Sequence, residues 1–318
     1  MSNSNKPSSQ RILSNTIVLF FRMLLLTVVN LYSIRIILER MGTEDYGIYN
    51  AVAGVVTISS FISGVLDLAI QRFYSYAMGA KQKDQLVKIF SISIKCSALL
   101  AVIILIILEL AGLWYIENKL VVPIDKIETV KLCFHFAVIT FLCTILQIPF
   151  TATIFAHEDM GVYASISSVE CLLKLLVAFL IGRVFLDNLS FYCLGLMLVA
   201  IFVYISYALW GYTRYEECKH YTDIKDNDLY KKILSFSGWT LFGSFAKITM
   251  VQGSTLLLNS FFGPLTNASF AISLQISNAF TTLSNNMVLA VRPVMIKSYA
   301  ENDELYLQQL FSFSNKFI

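Results

Sequence analysis

Charge is what this sequence has least of. Only 14% of its 318 residues are Asp, Glu, Lys or Arg, where a soluble domain carries roughly a quarter. So few charges cannot cover a surface that meets water all round, and the remaining surface must face lipid. Proline is also scarce, at 5 residues, which argues against a disordered or Pro-rich chain. The six cysteines, Cys96, Cys133, Cys143, Cys171, Cys193 and Cys218, form no Cys-x-x-Cys pair. Five of them lie in apolar runs and read as small buried hydrophobes. The three histidines, His135, His157 and His220, are scattered and make no metal set with acidic or Cys neighbours. No GxxxxGK[ST] loop is present, so the chain shows no ATPase of its own, and no GxSxG elbow appears. The net charge of +3 is too small to suggest nucleic acid. A membrane enzyme that polymerises or ligates glycans would want a large outer loop bearing catalytic residues, and the outer loops here are short. No enzyme activity and no cofactor are expected.

What is present is hydrophobic length. Apolar residues make up 57% of the chain, with mean hydropathy +0.68 and 24 Phe and 16 Tyr, in keeping with many lipid-facing and interfacial rings. Eight apolar stretches run over about 12–38, 48–70, 89–114, 130–155, 162–185, 191–212, 233–262 and 268–295, and a ninth begins near 305. Each can supply the ~20 residues of a helical span. They are far longer than the ~10 residues of a transmembrane strand and do not alternate, so helices are expected and a barrel is not. The polar N-terminus MSNSNKPSSQR does not read as a signal peptide, because the apolar run after it is too long.

The basic residues choose a side. Lys6, Arg11, Arg72, Lys81, Lys83, Lys88, Arg214, Lys219, Lys225, Lys231, Lys232 and Lys297 fall on one side, and Arg40, Lys119 and Lys126 on the other. The positive-inside rule then puts the N-terminus in the cytoplasm. The longest hydrophilic stretch, 213–232, divides the chain. Residues 1–212 read as a six-helix lobe, 213–232 as a cytoplasmic connector, and 233–318 as the incomplete start of a second lobe of a longer transporter.

Charges within apolar spans are costly and mark a bundle interior or cavity. Arg22, Asp67, Lys95, Glu109, Lys131, His135, Glu170, Lys174 and Lys247 are such residues, with Arg35 close enough to its span's end to snorkel. Glu170 and Lys174 stand four apart and can satisfy each other across one turn. Arg22 and Lys247 lie well inside their spans with no acidic partner on the same helix. Arg22, Lys95, Lys174 and Lys247 together leave more positive than negative charge at membrane depth. Such a cavity attracts an anionic headgroup, phospholipid-like or pyrophosphate-bearing.

Three segments carry a family resemblance. RIILERMGTEDYGIYNAVAGVV, GVLDLAIQRFYSYAMGAKQKDQL and TIFAHEDMGVYASISSVECLLKLLVAFL resemble the first helix junction, the end of helix two, and the fourth-to-fifth turn of polysaccharide exporters. These are O-antigen and capsule flippases, labelled lipopolysaccharide biosynthesis proteins, of the multidrug/oligosaccharidyl-lipid/polysaccharide (MOP) exporter superfamily. The resemblance runs over essentially the whole chain. It implies an all-α polytopic protein, a MATE-like two-lobe transporter of which this chain supplies the first six-helix lobe and the start of the second. It implies a flippase moving polyprenyl-pyrophosphate-linked oligosaccharide across the bacterial inner membrane by alternating access. Arg22, Lys174 and Lys247 then hold the pyrophosphate, with Lys95 as a further cavity cation. Asp67 and Arg72 match a local DxxxxR pattern and act as a structural or gating pair, with Glu170 beside them in a structural role. A monomeric state and association with a glycan polymerase or other surface-polysaccharide assembly proteins go with this expectation, and Na⁺, H⁺ and the membrane potential stay open as the coupling. The alternative is a drug/cation antiporter of the same superfamily, which favours an acidic cavity.

Overall fold

The computed structural model describes residues 8–57, 59–118, 120, 123, 126–183, 187–221 and 227–317, and over much of 247–287 only the helical backbone. Among the described residues every regular element is a helix. They are α1 (Ser8–Met41), α2 (Thr43–Thr57), α3 (Ser60–Gly79), α4 (Lys83–Ile107), a π-helical turn (Leu108–Gly112) and α5 (Leu113–Asn118). Then come α6 (Ile127–Leu146), α7 (Ile148–Ala156), α8 (Met160–Leu180), α9 (Asn188–Arg214), α10 (Glu216–Lys219), α11 (Asn227–Ala300) and α12 (Glu304–Phe317). Five described helical stretches are long and apolar enough to cross a membrane: 14–41, 83–118, 127–156, 160–180 and 188–214. A multi-span helical membrane protein is therefore what the apolar runs build.

The ends of the helices follow from the residues there. α1 stops at Gly42, whose φ of +88° is left-handed backbone that suits glycine, and its N–H returns to the Leu38 carbonyl at 3.2 Å. Pro149 brings no N–H to the ladder, so the span at 127–156 breaks into α6 and α7 at Gln147. The stretch at 48–70, expected as one span, is two helices. The Ser59 N–H turns back to Val56 O at 3.0 Å, in a run of hydroxyl residues of the kind that compete for the backbone.

The core sits between α3, α4, α6, α7 and α9. Its centre is a group of rings in edge contact, with Phe150 centroids 5.6 Å from Phe90 and 5.4 Å from Tyr212. All six cysteines are buried and unbonded. Much of the outside is apolar. On α1, Phe21, Val28 and Leu31 are each about two-thirds exposed, which suits hydrocarbon and not water.

α11 is the largest departure from the expected pattern. The GPLTN segment at 263–267, expected as a turn between two spans, keeps helical hydrogen bonding. Yet 74 residues would run about 110 Å if straight, over three times the ~30 Å hydrocarbon core. Near the helix's start, Phe236 meets Phe73 at 6.4 Å and lies 4.4 Å under the Arg72 guanidinium. Near its end, Lys297 backs onto Gly79. Arg72 and Gly79 are only ~10 Å apart along α3. Both ends of α11 thus come to one end of α3, and the helix reverses direction between them. The chain thus doubles back within the region expected as two spans, and among the described residues no loop interrupts the helix.

Gly79 makes that return possible. A Cβ there would lie 2.6 Å from the Lys297 carbonyl oxygen and 2.9 Å from the Ala300 Cβ. Gly79→Val should lower stability by ~1–3 kcal/mol, read as a lower thermal midpoint in detergent. Gly64→Ala, where nothing lies within 4 Å, should leave the midpoint near wild type.

Candidate functional site

The first candidate site is a polar stripe where α8 faces α1. Tyr163, Ser167, Glu170 and Lys174 follow one another at spacings of four, three and four, which aligns them on one side of a helix. Arg22 reaches across from the middle of α1. Its Nε donates to Ser167 Oγ, its Nη2 donates to the Tyr163 hydroxyl at 3.2 Å, and its guanidinium carbon stands 4.5 Å over the Tyr163 ring. Tyr207 of α9, fully buried, stacks on Tyr163 with centroids 6.4 Å apart. Lys174 Nζ donates to Glu170 Oε1 at 2.6 Å, so these two do satisfy each other.

On α3, Gln71 Nε2 donates to Asp67 Oδ2 at 3.0 Å, while Asp67 Oδ1 is buried with no hydrogen-bond partner among the described residues. Arg292, from the returning half of α11, acts on Asp67 electrostatically, and Asp67 in turn acts on Tyr163 and Tyr207. Arg22, Lys174 and Arg292 thus stand against Asp67 and Glu170. Lys174 is spoken for by Glu170, and Arg292 faces Asp67. Among the described residues, Arg22 holds its charge against neutral groups only.

Not every expected residue joins this cluster. Asp67 and Arg72 do not form an ion pair. Five residues turn a helix through about 500°, so the two point away from each other, and Arg72 rests on Phe236 instead. Lys95 lies in a separate groove against α11. The side chain of Lys247 lies outside the described residues. Arg292 was not singled out from the sequence. The reason that marks Arg22, a lone Arg in an apolar stretch, applies equally to NNMVLAVRPVMI.

A second cluster closes the basic end, where the turn between α7 and α8 holds three elements with three consecutive side chains. His157 Nε2 and Glu217 Oε1 of α10 are 2.6 Å apart, and the His157 ring stacks on Tyr215 at 4.2 Å. The carboxylate of Glu158 takes Lys297 Nζ from the end of α11, and its carbonyl accepts from Asn15 Nδ2 of α1 at 3.2 Å. Asp159 Oδ2 accepts from the Tyr215 hydroxyl at 2.7 Å. Glu158 does this with φ of +60°, a left-handed conformation uncommon for a residue with a Cβ. Burial pushes the Glu217 carboxyl up, but its hydrogen bonds, from His157 above all, leave it below the ordinary 4.5. A depressed carboxylate adds stability above its unfolded pKa, and that stability is lost as pH falls through the lowered folded value. Between pH 6 and 3 the wild type should therefore lose more thermal stability than Glu217→Gln. Parallel curves would remove the pair from the account.

At the opposite end, Arg40 donates to the carbonyls of Phe179 and Ile181, and Asn188 Nδ2 donates to Arg40 O at 3.2 Å. Lys126 pairs with Asp45 at 2.5 Å. Helix ends that alternate in sequence thus gather at two opposite faces, as spans that cross in turn require.

No family model matches the chain. It is 20% identical over 285 residues to a protein of Bacillus subtilis (strain 168) described as uncharacterized membrane protein EpsK, covering 88% of this chain. The chain spans about half of that relative, 55% of its length. Among solved structures it is similar to a mutant of the Vibrio cholerae MATE transporter VcmN, at TM-score 0.77 and 15% identity, over 97% of this chain and 70% of that one. It is also similar to a MOP superfamily transporter from Pyrococcus furiosus Vc1, at TM-score 0.72 and 14% identity, over 96% of this chain and 68% of that one. That structure is described as having a binding pocket of reverse polarity that suggests a different function. The fold is therefore the MATE-like one, and the chain has the length of roughly two-thirds of it.

Proposed function

We propose that this chain is part of a two-lobe MOP-type transporter that carries polyprenyl-pyrophosphate-linked oligosaccharide across the inner membrane, with its basic end and N-terminus in the cytoplasm. The observation that carries this reading is Arg22, a guanidinium within the bundle against a phenol and a hydroxyl. Both are neutral, so its charge stays available to an anion, and its planar fork matches phosphate oxygens. Lys174, already beside Arg22 on the stripe, is the cation nearest to hand if Glu170 yields it. Lys247 stays in the proposal on its position in α11 alone.

Transport then needs the two ends to open in turn. The Glu158–Lys297 contact keeps the basic end shut, and cargo entry from the cytoplasm requires that it part. The polyprenyl tail stays in lipid while the headgroup crosses. The drug/cation antiporter is the second reading, and one observation favours it. Asp67 is buried with an oxygen that no described group satisfies, which a proton or Na⁺ would satisfy. In the flippase reading the same carboxylate is a coupling group. The readings part in proteoliposomes of the full-length protein. The flippase moves a fluorescent polyprenyl-pyrophosphoryl saccharide between leaflets, and the antiporter instead exchanges an organic cation for H⁺ or Na⁺. Cation exchange without lipid translocation would overturn the proposal.

A further inference from the structure

A groove of about 740 Å³ opens at the basic end, between α3 and the first turns of α11. Arg72 lines it from α3, and Lys231 and Lys232 line it from α11. Among the described residues one carboxylate, Asp228, lines it with them. Asp228 precedes the two lysines by three and four residues, so it shares their side of the helix and offsets one charge. Two positive charges remain. The cations stand at two levels. The Arg72 guanidinium lies 4.4 Å from the centre of the Phe236 ring, and Phe236 is one turn, ~6 Å, further along α11 than Lys232. Beyond Phe236 comes Trp239, on the same side of α11 and 76% exposed. An exposed indole on the apolar side of a lysine pair marks the head-group level of a bilayer.

We propose that this groove binds a membrane phospholipid with two phosphates, of the diphosphatidylglycerol (cardiolipin) kind. One phosphate meets the Lys231 and Lys232 ammonium groups. The other meets the Arg72 guanidinium, whose fork matches two phosphate oxygens. An acyl chain runs past Phe236 and Trp239 into the hydrocarbon. Charge complementarity carries the choice. Two phosphates balance the two positive charges of the lining, and at the edge of the hydrocarbon such pairs are only weakly screened. A zwitterionic head brings one phosphate and one ammonium, which answers one cation and Asp228 and leaves two cations over. A pyrophosphate also carries two charges, but its phosphorus atoms share one oxygen. A glycerol bridge sets two phosphates apart, as Arg72 and the lysines are set apart. The lining shares no residue with the Arg22 cluster, so the site stands or falls independently of the transported cargo.

The test is native mass spectrometry of the full-length protein in detergent, offered equal amounts of cardiolipin, phosphatidylglycerol and phosphatidylethanolamine. Wild type should retain cardiolipin most and phosphatidylethanolamine least. Lys231→Gln with Lys232→Gln should cut cardiolipin retention several-fold, as should Arg72→Gln, and Lys231→Arg with Lys232→Arg should keep it. Asp228→Asn should raise it, a direction that a damaged fold does not produce. Ser235→Trp, which fills the groove and leaves its charges, should lower it. Retention unchanged by the double Gln variant or by Ser235→Trp overturns the site. Retention of either other lipid equal to that of cardiolipin overturns the match to two phosphates. Replacement of cardiolipin by an equal amount of polyprenyl pyrophosphate overturns the membrane phospholipid as the occupant.

Discussion

Arg22→Ala in the full-length protein is expected to lose affinity for a polyprenyl-pyrophosphate probe by about ten- to a hundredfold, the usual scale for removing one partner of a charged hydrogen bond. Leaflet translocation should fall with it. The magnitude rests on the company Arg22 keeps. A guanidinium locked to a carboxylate would have to be pulled from an equal charge before it could serve cargo. Arg22 has to leave only Ser167 and Tyr163. Arg22→Lys should retain part of the affinity, because it keeps the charge and loses the fork. Tyr163→Phe should cost less, since it removes one acceptor and spares the ring under the guanidinium. Binding and translocation that survive Arg22→Ala unchanged would take Arg22 out of the site. A thermal midpoint near wild type is the control for folding.

The second large effect is at the basic end. Glu158→Lys sets like charges against each other where Lys297 and Glu158 are each less than a fifth exposed. It should open that end, and the exchange Glu158→Lys with Lys297→Glu should close it again. Spin labels on Lys81 and Glu301 would report this as a longer distance in the single variant and a restored one in the double. The native cysteines are all buried, which favours labelling at introduced sites. In the flippase reading the single variant also loses transport, because it cannot return to the state closed at this end. An unchanged distance distribution in Glu158→Lys would mean that the packing of Gly79 on Lys297 holds the end by itself.

How much of this was legible in the sequence divides by distance along the chain. Apolar runs are local, and the first, third, fourth, fifth and sixth came out near their expected places. The Glu170–Lys174 pair is local too, one helical turn, and the sequence offered it as an open choice that the geometry decided. What could not be read was which distant residues meet. Lys297 and Glu158 are 139 residues apart, and Arg22 and Ser167 are 145 apart. Hydropathy carries no term for such pairs. His157, Glu158 and Asp159 fall between the fourth and fifth apolar runs, where three such residues on a short turn ordinarily face solvent. Here each has a partner on another element. The reversal of α11 was read as a turn because Gly-Pro usually marks one in water, where an exposed backbone can be hydrated. Here the chain does reverse direction within α11, while the backbone at 263–267 keeps its helical hydrogen bonding.

α1 has the barest flanks of the described spans, with only 6% of its most apolar stretch buried. Its polar attachments include Asn15 near one end, Arg40 at the other, and between them Arg22 and, by a long contact from Cys171, Asn30. An anion that draws the guanidinium away from Tyr163 and Ser167 therefore takes from α1 its strongest polar fastening between the ends. In the flippase reading, holding the cargo and holding the helix draw on the same hydrogen bonds. By linkage, whatever straightens or bends α1 must change the affinity of the site, and occupation of the site must bias the shape of α1 by the same free energy.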